Sequence, residues 1–210
     1  MNPISAPEDV SALWLHTLQR AVGRASHDVK DALNGVSVNV EVVRSRAARP
    51  EVPATAVSTF AEAAAQQLDR LTNLIEAVLA VSRPEREPAD VGLTLRRITT
   101  LCSASASSAD ALVRIIDEGS ADSAITSVRG DVVRLTLLAT LLDMVVGTDR
   151  ANRASDVTCS LGGDVENIHV VIATTDRRAV LPDSIADVIR SAGVRWTAGQ
   201  QDLSLAFPRA

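Results

Sequence analysis

A chain of 210 residues in which 46% are hydrophobic and only 2% aromatic is long enough for one or two domains, and their cores must be aliphatic. Its net charge of -5 comes without a dense run of Lys and Arg, which argues against a nucleic-acid partner, because neutralising phosphates takes clustered cations. Cys102 and Cys159 are too few and too far apart for a disulfide scaffold or a metal site, and the lack of an export signal or long apolar run points to a soluble cytoplasmic protein off the membrane.

From about residue 7 to residue 48, apolar residues recur at three- and four-residue steps: Trp14, Leu18, Val22, Ala25, Val29, Leu33, Val36, Val40 and Val43. That spacing predicts one long helix with a single buried stripe. His27 lies two positions past Ala25, about 200° around the helix. It therefore points away from the stripe, on a face shared with Gly23, Lys30, Asn34, Val38 and Glu41. Small or polar neighbours one turn away would let another macromolecule bring a reacting group to the imidazole.

The run His27-Asp28-Val29-Lys30-Asp31-Ala32-Leu33 resembles the H-box of bacterial sensor histidine kinases, His-(Asp/Glu)-x-(Lys/Arg)-x-Pro-Leu, which marks the phosphoaccepting helix of their dimerisation domain. Ala32 stands where the family has Pro, which straightens the helix. Asp31 stands where many members carry the Thr or Asn that positions a hydrolytic water, so phosphatase activity is not implied. A neutral imidazole nitrogen is a competent nucleophile, and an adjacent carboxylate can orient the ring or accept its proton. The resemblance assigns His27 as phosphoacceptor and Asp28 as its acid/base partner, with Gly23, Ser26, Lys30, Asp31 and Asn34 as the docking surface for a partner.

Arg44, Arg46 and Arg49 suit the negative end of the first helix, and Pro50 and Pro53 mark a turn. A second periodic segment runs through Val57, Phe60, Ala64, Leu68, Leu71, Ile75 and Val78 to Ser82. Two long helices joined by a short turn make a hairpin. A stripe this broad is covered most economically by a second copy, giving a four-helix bundle in a homodimer; packing of the hairpin on its own C-terminal half is the alternative.

Beyond a Pro-flanked linker the pattern changes. It predicts a helix over 90–107, strands over 112–117 and 124–128, and a helix over 131–146. Strands over 157–161 and 168–173, a helix over 182–192, and strands over 194–197 and 203–207 follow. Short connections between mixed strands and helices describe a two-layer α/β sandwich. The division expected is 1–83 as a helical-hairpin dimerisation and phosphoacceptor domain and 89–210 as an ATPase-like α/β domain. His16 has no H-box around it, and His169 alternates along a strand as a structural side chain.

The second half resembles the ATP-binding domain of the same kinases, in degenerate form. Val128-Arg129-Gly130-Asp131-Val132-Val133-Arg134-Leu135 resembles the lead-in to the family's N-box helix. The position of its magnesium-holding Asn is Met144, a poor ligand for a hard cation; Asp143 next door is about 100° away around the helix. The family's Asp-x-Gly-x-Gly-Ile-Pro is matched by Asp176-Arg177-Arg178-Ala179-Val180-Leu181-Pro182, with Arg178 and Val180 in place of the glycines. Between Pro182 and Gly193 there is length for one short helix and none for a lid or phosphate-cradling turns.

A phosphoacceptor helix joined to such a domain is similar to the dimeric histidine phosphotransferases of the ChpT and sporulation-phosphorelay type. The resemblance implies phosphoryl transfer between the receiver domains of response regulators, with an upstream hybrid histidine kinase as a further partner. No cofactor or metal would be bound by this chain; magnesium would be held in the receiver. Two other readings are open: a non-catalytic pseudo-histidine-kinase dimer that docks or sequesters receivers or kinases, and an ATP-dependent histidine autokinase.

Overall fold

The computed structural model of the chain describes residues 7–49, 51, 53, 55–83, 87–104, 113–117, 124–146, 157–175 and 179–210. Two long helices open it, α1 (Pro7–Ala47) and α2 (Thr55–Ser82). They run antiparallel, and Arg46 ties the turn between them, donating to the Ala56 carbonyl at 3.1 Å while its guanidinium lies 4.5 Å from the centroid of the Phe60 ring. Small residues line the seam. Ala21, Ala25 and Ala32 of α1 and Ala64 and Ala77 of α2 are all buried, which lets the two backbones approach. No described helix is long and apolar enough to cross a membrane.

The remaining elements are β1 (Ala89–Asp90), α3 (Val91–Ala104), β2 (Val113–Asp117), β3 (Ile125–Thr126), α4 (Gly130–Val146), β4 (Val157–Gly163), β5 (Asn167–Thr174), α5 (Asp183–Ser191), β6 (Arg195–Ala198) and β7 (Asp202–Pro208). Apart from β1, which the sequence pattern did not predict, their order is the expected one, with each long element within a few residues of its predicted bounds. The main sheet runs β2-β4-β5-β7-β6, parallel between β2 and β4 and antiparallel elsewhere; β1 and β3 pair separately. One sheet face supplies Cys159, Ile168, Val170, Ile172, Leu203, Leu205 and Phe207, each wholly buried. Against it lie Leu95 and Ile98 of α3, Leu137, Leu138 and Leu141 of α4, and Ile185 and Ile189 of α5. The result is a helical hairpin followed by a two-layer sandwich.

α4 is buried on every side from Val132 to Leu142. A helix apolar all round needs cover all round, and here α1, α3 and α5 each pack against part of it. Its hydroxyls are satisfied within the helix: Thr136 donates to the Val132 carbonyl and Thr140 to the Thr136 carbonyl, both at 2.7 Å. The linker fastens its start, Glu87 accepting the Gly130 N–H at 2.8 Å. Arg134, buried in the same joint, stacks over Trp14 at 4.5 Å and donates to the Arg83 carbonyl at 2.8 Å.

This packing corrects the expected single stripe on α1. The side that its own chain covers is Val10, Thr17, Ala21, Ala25, Asp28 and Ala32, whereas Val22, Leu33 and Val40 are exposed. Trp14 and Leu18 pack half-buried against the shared core, and Val29 does the same. The hairpin thus rests partly on its own C-terminal half. A second apolar row stays uncovered within the chain: Leu15, Val22, Leu33 and Val40 on α1 and Leu68, Ile75 and Leu79 on α2.

Candidate functional site

The middle of α1 carries the site. His27 projects from the exposed face with 74% of its side chain accessible. Gly23, Ser26, Lys30, Asp31 and Asn34 are exposed around it, so the structure brings together on one surface the residues that the sequence grouped, apart from Asp28. At Gly23 an added Cβ would meet nothing within 4 Å. That leaves open space one turn before the histidine. The Ser26 hydroxyl turns back to the Val22 carbonyl at 2.8 Å, which keeps it off the imidazole.

Beside His27 a groove of about 380 Å³ runs between the two helices, lined by Val22, Ala25, Ser26, Val29, Lys30, Ile75, Val78 and Leu79. Its floor is apolar, and its polar members are Ser26 and Lys30. Of the α2 side chains reaching it, Ile75 and Leu79 are exposed and Val78 is packed partly against the core.

Asp28 takes a different position from the rest. Its side chain is only 5% exposed, and its Oδ1 stands 3.9 Å from His27 Nδ1, while its Oδ2 is buried with no hydrogen-bond partner. Burial pushes its carboxyl above the usual value, and the nearby charges of Arg24, Arg70 and His27 offset part of that rise. The cause is geometric. One residue turns the helix by about 100°, so the neighbour of an exposed histidine enters the seam between α1 and α2. Asp31, a full turn on, brings Oδ2 to 3.1 Å from Nδ1 with its side chain 55% exposed. That proximity was available in the sequence through the four-residue spacing. His27, Asp28 and Asp31 form a cluster whose donor atoms lie within 4.8 Å of one another.

In the C-terminal half, Met144 lies in the hydrophobic core at 5% exposure, and Asp143 beside it faces α1, where Arg20 Nη2 reaches its Oδ1 at 2.7 Å. Val180 is exposed and Leu181 buried; Asp176 and Arg178 lie outside the described residues. The stretch from Pro182 to Gly193 is occupied by α5 and its caps. Burial pushes the thiols of Cys102 and Cys159 up to about 12, which leaves both unreactive at neutral pH. His16 is exposed on α1. His169 pairs with Asp164 at 3.0 Å across the β4–β5 turn, where Asp164 also accepts the N–H groups of Glu166 and Asn167, contacts that hold its carboxyl well below the usual carboxylate range.

No protein-family model and no curated protein sequence matches the chain. Among solved structures it is similar to a bacterial phosphotransferase, at 14% identity and a TM-score of 0.42, with 98% of this chain and 99% of that one covered. It is similar also to the histidine kinase domain of a blue-light activated histidine kinase from Erythrobacter litoralis, at 12% identity and a TM-score of 0.47, over 90% and 94% of the two chains. A third is a histidine kinase in complex with a response regulator protein, at 9% identity and a TM-score of 0.43, over 93% of this chain and 63% of that one.

Proposed function

We propose that this protein is a histidine phosphotransfer protein that relays phosphoryl groups between response-regulator receiver domains, with His27 as the acceptor. The observation that carries the reading is the placement of His27 in an H-box-like sequence, 74% exposed, beside open space at Gly23 and the exposed polar side chains of Ser26 and Lys30. The exposed imidazole can enter the receiver's phosphorylation site. In-line attack is then a matter of docking geometry. Magnesium belongs to the receiver in this scheme, and Met144, packed in the core, is no ligand for it.

A homodimer through the hairpin is part of the proposal. The uncovered row on α1 advances by seven, eleven and seven residues from Leu15 through Val22 and Leu33 to Val40, and on α2 by seven and four from Leu68 through Ile75 to Leu79. Such steps are those of a bundle seam. The test is incubation of the protein with phosphorylated receivers from its source organism. An acid-labile, alkali-stable label on the native chain and none on His27→Ala is the expected result. Binding of receivers without transfer would favour the non-catalytic dimer, and labelling from ATP would favour the autokinase.

A further inference from the structure

The carboxylate that faces His27 is not its neighbour in sequence. Asp31 Oδ2 lies 3.1 Å from Nδ1, against 3.9 Å for Asp28 Oδ1. The two side chains differ as much in setting: Asp28 is enclosed in the helix seam with Arg24 and Arg70 as its field partners, whereas Asp31 stands on the same open face as the imidazole. A separation of four residues places two side chains one above the other on a helix, so Asp31 meets the ring without leaving its place. For Asp28 to do so it would have to move out of the seam.

We propose that Asp31 is the positioning residue of His27: its carboxylate accepts the Nδ1 proton and so fixes the tautomer in which Nε2 carries the reactive lone pair. Which ring nitrogen is free is set by the partner of the other, and contacts of this kind tighten when the reacting partner docks. The consequence for transfer rests on the phosphorelay reading; the tautomer does not. In the transfer step, the Nε2 lone pair forms a P–N bond while the P–O bond of the receiver's acyl phosphate breaks, and the receiver's carboxylate leaves with the electron pair. The phosphorylated imidazole is then cationic, and the Asp31 carboxylate facing its Nδ1–H stabilises that charge. Attack by a second receiver's carboxylate on phosphorus breaks the P–N bond, and the Nε2 lone pair returns to give the neutral ring.

The test uses the full-length protein labelled with ¹⁵N. Long-range ¹H–¹⁵N correlation spectra report the tautomer of His27, with His16 and His169 as internal references. The native ring should be protonated chiefly at Nδ1, and Asp31→Asn should shift it to a mixture. Phosphoramidate, a small P–N donor that needs no receiver, should label Nε2 of His27 about tenfold more slowly in Asp31→Asn, with partial recovery in Asp31→Glu. Circular dichroism melting of each variant shows that the fold is retained. An unchanged tautomer and rate in Asp31→Asn would overturn the inference, as would a tautomer shift produced by Asp28→Asn instead. Failure of every receiver to donate, with the Asp31 effects intact, would sink the relay and leave this inference standing.

Discussion

Arg20 on α1 and Asp143 on α4 lie 2.7 Å apart, and one and a half turns earlier Trp14 lies over the guanidinium of Arg134. These contacts join the helix that carries His27 to the buried helix of the C-terminal half. In that arrangement Asp143 is engaged by the hairpin, and Met144 beside it fills core space. The C-terminal half therefore serves α1 as a wall against which its first half packs.

The two contacts should differ in weight. Trp14→Ala removes a large half-buried ring and the cation–π partner of a buried arginine, so a loss on the order of 3 kcal/mol is expected in denaturant unfolding. Arg20→Ala breaks an ion pair whose members are each about two-fifths exposed, and surface pairs of this kind contribute under about 1 kcal/mol. Equal losses from the two variants would contradict this account of the joint.

His27→Ala should leave the melting temperature within about 1 °C of native, because the side chain is exposed and outside the core. The same variant should carry no acid-labile phosphoryl label. Residual labelling would point to another histidine, and His16 and His169 are the others present.

For the dimer, size exclusion with light scattering should give twice the 22.1 kDa chain mass. Ile75→Glu is the informative variant, since Ile75 is 46% exposed in the single chain and a charge there burdens only a bundle seam. It should yield a folded monomer. A variant that stays dimeric would place the interface elsewhere.

Asp28→Asn tests the buried carboxylate through pH. The folded-state value is raised, so protonation favours the native state: the stability linked to this group is fully present below the unfolded value near 3.8 and is lost as pH rises through the folded one. At pH 7 the native chain bears the cost of a buried carboxyl whose Oδ2 has no hydrogen-bond partner. The asparagine variant should therefore be more stable at pH 7, by on the order of 1 kcal/mol, and the difference should shrink as the pH falls toward 3.8. Thermal unfolding of both proteins between pH 3.5 and about 7 measures it, and a gap that widens on acidification would reverse the assignment.

Titration calorimetry with magnesium-ATP should show no saturable binding up to millimolar nucleotide. The expectation rests on Met144 in the core, on Val180 in place of a glycine, and on α5 filling the stretch after Pro182. Binding in the tens of micromolar range would revive the autokinase.

Much of this molecule is decided locally, and that part was legible. The bounds of α1 and the end of α2, the alternation of β5 and β7, and the outward direction of His27 follow from periodicities of 3.6 and 2 that each segment carries within itself. The H-box wording likewise needs only neighbouring residues. What the sequence did not decide is which of two apolar rows on α1 the chain would cover, because several of its apolar positions serve either row and the choice depends on α4, about a hundred residues away. Burial is set by distant partners, and so is the fate of Asp28. Adjacent to His27 in the chain, it was drawn into the seam by the close approach of α2, and the carboxylate left facing the imidazole was Asp31.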